Sequence, residues 1–339
     1  MHTFNEITSQ ATQLERTYEV VSGQTFIDKK VDMYLFVGCG TSFYLAAAAA
    51  RYFQTVTGHL AQALPASEIF LNPESAISEN KSYHIITISR SGTTSEIIAA
   101  LELLQKRKNI STMAVTCHGN SPMAKLADES VALDHINEKS VVMTQSFTNM
   151  LYALQLYAAK QASSQKDLAE LRHVPKEAEK LLEHANQTKE IASSSAYQRF
   201  VFLGMGMFNG IAKEATLKLK EMTQTECESY SSLEFRHGPI SIVDQTTVVV
   251  MVTQAKTEKF DQDLVNDIQK LGGKVLTIGP VSEAFSSDEH IQLNEAISDR
   301  NTLVLTVPHL QLLAYHRAIS LGLNPDQPRN LTQVVTLKL

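Results

Sequence analysis

The sequence has little that would tie it to an extracellular, membrane or nucleic-acid setting. Among 339 residues there are three cysteines, Cys39, Cys117 and Cys227. They are odd in number and far apart, which fits neither a disulfide framework nor a zinc site built from paired ligands. A reducing, cytoplasmic compartment is the expectation. Met1 to Asp28 has no continuous apolar core of a signal peptide, and the apolar run Leu45–Ala50 is far too short to span a bilayer. Basic residues show no excess: the formal charge is −6, and no basic stripe is visible. That argues against a phosphodiester-binding protein. A local cluster of hydroxyls and backbone N–H groups could still hold a small anion.

What is present is a hydrophobic fraction of 43% against 19% charged residues, enough to bury substantial cores. The length points to two compact units. The pattern also repeats. Phe36-Val37-Gly38-Cys39-Gly40 opens an Ala-rich helical stretch, and Phe202-Leu203-Gly204-Met205-Gly206 opens another. Downstream, Ile85–Ser89 is answered by Val248–Thr253, and Thr112–Thr116 by Lys274–Ile278. Short apolar runs ending in Gly, Ser or Thr, each followed by a helical pattern, predict parallel strands with crossover helices. The expected fold is α/β, with two tandem doubly wound parallel sheets flanked by helices. The boundaries read as an N-terminal helical segment (1–30), a first domain (31–162), a largely helical connector (163–195) and a second domain (196–339).

Ligands of open parallel sheets sit at the carboxyl ends of strands. The segment Ser89-Arg90-Ser91-Gly92-Thr93-Thr94 falls there, between an apolar strand and an amphipathic helix. A glycine turn at a helix N-terminus supplies free N–H groups and a favourable dipole, and hydroxyls can complete a shell around a phosphate monoester. Ser42, in the turn GCGTSF, could reach the same anion. A structural alternative is a capping box formed by Thr93 and Glu96. Dinucleotide binding is disfavoured, because neither glycine turn matches the fingerprint or is followed by a suitable ribose-binding acid.

Residues 211–222, IAKEATLKLKEM, predict a helix with Ile211, Ala215, Leu219 and Met222 on one face. Glu214, Lys218 and Glu221 form a stripe bordering that face; the plain alternative is a surface Glu-Lys pair. Further on, Arg236-His237-Gly238-Pro239 holds an imidazole on a loop.

GCGTS, ISRSGTTSE, LGMGMFNGIAKEATLKLKE, EFRHGP and NPDQPRNL, in that order, resemble the sugar isomerase (SIS) superfamily over nearly the whole chain. The likeness is to its double-SIS members: the isomerase half of glucosamine-6-phosphate synthase, the ketose/aldose isomerases and the amino-sugar-phosphate deaminases. The resemblance implies that Ser42, Ser89, Arg90, Ser91 and Thr94 surround a sugar phosphate, with Arg90 where the synthase has glutamine. It implies Glu221 as the base moving a proton between C1 and C2, and Lys218 beside it. His237 would assist ring opening from the neighbouring subunit of a homodimer. Gly40, Thr41, Glu228 and the loop from Val141 to Thr144 would lie near the sugar. No metal or redox cofactor is implied, and neither a nucleic-acid nor a membrane partner.

The sequence departs from the synthase twice more. Gln333 occupies the position of its Schiff-base lysine, and Lys338 lies five residues later, so a covalent imine to the enzyme is not expected. With His2 in second position and no glutamine-processing half expected, synthesis from glutamine is set aside. The expected reaction is conversion of glucosamine or galactosamine 6-phosphate to ketose 6-phosphate and ammonia. Plain aldose-ketose isomerisation and fructosamine-6-phosphate deglycation are the alternatives within enzymes, and a phosphosugar-binding sensor is the alternative outside them.

Overall fold

The computed structural model describes residues 1–27, 29–335 and 337. Lys338 is outside them. The chain divides into two units. One comprises Ser9–Pro175 with the C-terminal segment from Thr332, the other Met1–Thr8 with Lys176–Leu331.

The first unit carries β1 (Met33–Gly38), β2 (Ala61–Pro65), β3 (Tyr83–Ile88), β4 (Ile110–Thr116) and β5 (Glu129–Ala132). They form one sheet in the order β2-β1-β3-β4-β5, with every pairing parallel. The second carries β6 (Arg199–Leu203), β7 (Cys227–Tyr230), β8 (Thr247–Val252), β9 (Lys274–Gly279) and β10 (Glu289–Gln292). Its order, β10-β9-β8-β6-β7, is the same winding read from the other edge, again all parallel. The predicted duplication is therefore present in topology.

The central strands β3 and β8 are buried along their whole length, as parallel strands covered on both faces by crossovers must be. Apolar side chains from β1, β3 and the helix Ser95–Leu104 fill one core. Val201, Val249, Leu264 and Ile268 belong to its counterpart. The glycine turns repeat for a steric reason. A Cβ on Gly38 would lie 2.3 Å from the Ser42 carbonyl, and one on Gly204 would lie 2.4 Å from the Phe208 carbonyl oxygen. Only glycine lets strand and helix approach so closely.

Hydrogen bonds account for where the two units divide. The N-terminal segment is two helices, His2–Thr8 and Gln10–Ser22, which part between the units. Asp326 accepts from the backbone N–H groups of His2 and Thr3 and from the Thr3 hydroxyl at 2.7–2.9 Å, tying the first helix to the second unit. Residues 163–195 carry the helices Gln165–Leu171, Val174–Glu183 and Lys189–Ser193, with Pro175 in the first turn of the second, and the division between the units falls at Pro175. The segment from Thr332, assigned from sequence to the second domain, groups with the first, where Gln333 and Leu337 find their partners.

Candidate active site

In the first unit the glycine turn after β1 and the serine loop after β3 adjoin, because the two strands are paired neighbours. Within the serine loop, Ser89 Oγ accepts from the Gly92 N–H at 3.1 Å and shares a hydrogen bond with Thr94 Oγ1 at 2.8 Å. Ser91 Oγ accepts from the Thr93 N–H and hydroxyl at 3.2 and 2.9 Å. The loop reverses at Gly92, where φ is +63° and a Cβ would meet Ser121 Oγ at 2.1 Å. The capping-box alternative fails: Thr94, not Thr93, caps the helix Ser95–Leu104, and it makes no side-chain cap. Thr93 instead spends its hydroxyl on Ser91. Hydroxyls and a helix N-terminus thus converge at one strand end, an arrangement suited to a phosphate.

Gly40, Thr41 and Ser42 lead into the helix Thr41–Thr57, with Thr41 and Ser42 buried. The Ser42 hydroxyl approaches Met143 Sδ at 4.0 Å, which brings the loop from Val141 to Thr144 alongside. That loop is held by Glu138. Its Oε1 accepts from Thr144 N, Thr144 Oγ1 and Ser146 N at 2.8–3.1 Å, and Oε2 accepts from Ser146 Oγ at 2.5 Å.

Arg90, expected among the phosphate ligands, has four hydrogen bonds within the protein. Its guanidinium is turned to the protein: Nη1 donates to Glu138 Oε2 at 2.7 Å and to the Ser140 carbonyl at 3.3 Å. Nη2 donates to the carbonyls of Val141 and Gln333, both at 3.0 Å. A guanidinium offers a planar fork of donors, and a buried carboxylate with neighbouring carbonyls satisfies it. The two sequence departures, Arg90 and Gln333, are thus in contact.

The second unit gathers Glu214, Lys218 and Glu221 on the helix Phe208–Thr223. Lys218 Nζ lies 2.5 Å from Glu221 Oε2 and 3.4 Å from Glu214 Oε1. The stripe is deeper than its spacing predicts: the Lys218 and Glu214 side chains are 1% and 3% exposed, while Glu221 keeps 20%. This is no surface pair. The ammonium lies between two carboxylates, and Glu221 is the more open of them. Glu228 is exposed on β7 and accepts from the Tyr230 hydroxyl at 2.5 Å, which raises the Tyr230 pKa. His237 belongs to another element. It stands exposed beyond the turn Leu233–Arg236, next to Gly238 at φ +115°. The Arg236–Asp267 ion pair at 2.5 Å anchors that turn.

Burial pushes the Cys39 and Cys227 thiols up to about 11 and the Cys117 thiol further, so none is poised as a nucleophile at neutral pH. Among the described residues no three His, Cys, Asp or Glu side chains group as metal ligands, and no helix is long and apolar enough to cross a membrane.

The model of the SIS domain matches residues 27–160 and 195–320, one copy on each sheet. The chain belongs to the SIS domain family. Among solved structures, this SIS protein resembles glucosamine-6-phosphate deaminase from Thermotoga maritima at 30% identity and TM-score 0.83, over 99% of this chain and 100% of that one. Tagatose-6-phosphate ketose/aldose isomerase from Escherichia coli shares the fold at TM-score 0.87 and 23% identity, over 99% of this chain and 96% of that one. Among curated proteins, the glutamine–fructose-6-phosphate aminotransferase [isomerizing] of Aliivibrio fischeri is 29% identical over 91% of this chain and 52% of its own length. That of Escherichia coli is 29% identical with the same coverage. The SIS chain thus spans about half the length of these curated relatives.

Sequence reasoning missed Glu138, and it placed Glu214 on the stripe without giving it a role. A carboxylate six positions before Thr144, just ahead of the helix Gln145–Gln161, was the available signal for Glu138. For Glu214 the signal was its four-residue spacing from Lys218.

Proposed function

We propose that this SIS protein is a phosphosugar enzyme that deaminates an amino-hexose 6-phosphate, glucosamine or galactosamine 6-phosphate, to the ketose 6-phosphate and ammonia. The observation that carries the reading is the buried Glu214–Lys218–Glu221 triad, which a phosphate-binding module alone would not need. The serine loop and the full-length likeness to a glucosamine-6-phosphate deaminase support the substrate class.

In this reading Ser42, Ser89, Ser91 and Thr94 bind the phosphate, with Arg90 bracing the loop. Gly40, Thr41, Val141, Thr144 and Glu228 lie near the sugar, and His237, contributed across a homodimer interface, assists ring opening. The Glu221 carboxylate takes the C2 proton of the open-chain aldose and returns a proton to C1, converting the C2 amine to an imine. Lys218 offsets the negative charge that develops on the enediolate-like intermediate. Water adds to the C2 imine and ammonia leaves, giving the ketone. A positioned base supplies about 10²- to 10⁴-fold, and orientation and electrostatics the remainder.

The test is incubation with both amino sugar phosphates while ammonia and ketose are assayed. Stoichiometric ammonia and ketose are expected. Ketose formed without ammonia rejects the deaminase in favour of a plain isomerase, and ammonia-free release of an amino acid from a fructosamine phosphate identifies a deglycase. Binding without turnover of any of these identifies a sensor.

A further inference from the structure

We propose that a cavity between the helices Gln10–Ser22, Gln145–Gln161 and Gln165–Leu171 of the first unit binds a small monocarboxylate with an apolar body, at a site separate from the serine loop.

The cavity has a volume of about 350 Å³, within the range of small-molecule sites. Each helix gives it one stripe. Tyr18 and Ser22 stand one turn apart on the first helix, and Leu156 and Lys160 one turn apart on the second. The third helix contributes Gln165, Leu168 and Ala169, and Arg172, just past its end, completes the i, i+3, i+4, i+7 face. The helix Gln145–Gln161 packs against both of the others. With a rise of about 1.5 Å per residue, Leu156 lies about 17 Å along that helix from Gln145, the residue that follows the Val141–Thr144 loop. The cavity is thus at the far end of the helix from the serine cluster.

The charged side chains lining it are Lys160 and Arg172, with no Asp or Glu among the lining residues. The two cations are not equivalent. Lys160 Nζ donates to the carbonyls of Val21, Ser22 and Gln24 at 3.0, 2.8 and 2.5 Å. It is spent on closing the C-terminal end of Gln10–Ser22, where the helix dipole places about half a negative charge. Arg172 is uncommitted: its guanidinium, the Tyr18 hydroxyl and the Gln165 amide take no hydrogen-bond or ion-pair partner among the described residues. The acids of the third helix are engaged elsewhere, Asp167 accepting from Ser164 Oγ at 2.6 Å and Glu170 pairing with Lys166 at 3.8 Å. A free guanidinium offers a planar fork that a carboxylate fills with two parallel hydrogen bonds. The two neutral donors can complete the shell. A phosphate dianion would bring a second charge with no free cation to offset it, beside carbonyls that repel it. Leu156, Leu168 and Ala169 supply the wall for an apolar body.

The probe is 3-phenylpropanoate, titrated by calorimetry into wild type, Arg172→Ala and Ala169→Phe. Both positions are exposed, so neither change disturbs the core. Phenyl phosphate and 3-phenylpropanamide are the comparison ligands, and the probe is titrated again in the presence of glucosamine 6-phosphate. One saturable site is expected, indifferent to the sugar phosphate. Arg172→Ala should weaken it about ten- to hundredfold, the scale of a charge-assisted hydrogen-bonded pair. Ala169→Phe should abolish it by filling the cavity, and both comparison ligands should bind at least about tenfold more weakly than the probe. No saturable binding to wild type at millimolar probe, wild-type affinity in either variant, or tighter binding of phenyl phosphate overturns the proposal. Displacement of the probe by glucosamine 6-phosphate also overturns it, because that places the probe at the serine loop.

Discussion

Lys218 is held between two carboxylates inside the second unit, so its removal should be felt most where those carboxylates are charged. In Lys218→Met the ammonium 2.5 Å from Glu221 and 3.4 Å from Glu214 disappears, while Glu214 stays buried. Breaking a buried ion pair from one side costs about 3–5 kcal/mol. For a unit of this size that lowers the melting temperature by roughly 10 °C. The sign with pH follows from the carboxylates. Without the cation, a carboxylate left in the interior is costly when ionised and much less so when neutral. The deficit against wild type should accordingly be large at pH 8 and visibly smaller at pH 5. Adding Glu214→Gln removes one stranded charge and should recover a substantial part of the loss at pH 8. Differential scanning calorimetry at both pH values on wild type, single and double variants is the assay. An equal deficit at pH 5 and pH 8, or a double variant no better than the single, would refute the electrostatic account of this triad.

The other predictions concern the serine loop and two buried titratable groups. Gly92→Ala puts a Cβ onto Ser121 in a backbone at φ +63°. It should cost about 1–3 kcal/mol of stability and at least tenfold in phosphate affinity by calorimetry; wild-type affinity would contradict the loop's assignment. Asp261 is lifted from 3.8 to about 6, first by burial, with Asp299 and Glu258 adding repulsion. The stability of its protonated form is full below 3.8 and lost as pH rises through 6, so Asp261→Asn should stabilise by about 2–3 kcal/mol at pH 8. That gain should vanish toward pH 4, and a pH-independent gain would contradict it. His309 is pushed down to about 4, chiefly by burial. The stability contributed by its neutral ring is present above 6.5 and is lost as pH falls through 4, about 3 kcal/mol in all. His309→Leu should flatten that part of the acid-unfolding curve, and an unaltered acid limb would refute this.

The parts of the fold legible in the sequence are those imposed by local geometry. Gly38 and Gly204 mark the two strand-to-helix turns because no side chain fits there, and short apolar runs such as Tyr83–Ile88 and Thr247–Val252 mark strands buried on both faces. The stripe Glu214-Lys218-Glu221 was visible for the same reason, since helical spacing alone aligns it, but its depth was not, because burial depends on what packs over the helix. Partners distant in sequence left no local trace. The turn of Arg90 away from the hydroxyls, the capping of Thr144 and Ser146 by Glu138, and the return of Gln333 to the first unit are each set by tertiary contacts that periodicity does not encode. The split of the N-terminal segment after Thr8 has the same origin, in the bonds of His2 and Thr3 to Asp326.

The central claim is that Glu221 carries a proton for a sugar bound by its phosphate, and Glu221→Gln tests it most directly. Steady-state turnover on the amino sugar phosphate and calorimetric binding of the same compound should be measured side by side. The account predicts a kcat lower by about 10²- to 10⁴-fold with the dissociation constant nearly unchanged. Turnover close to that of the wild type, or a variant that no longer binds the sugar phosphate, would contradict it.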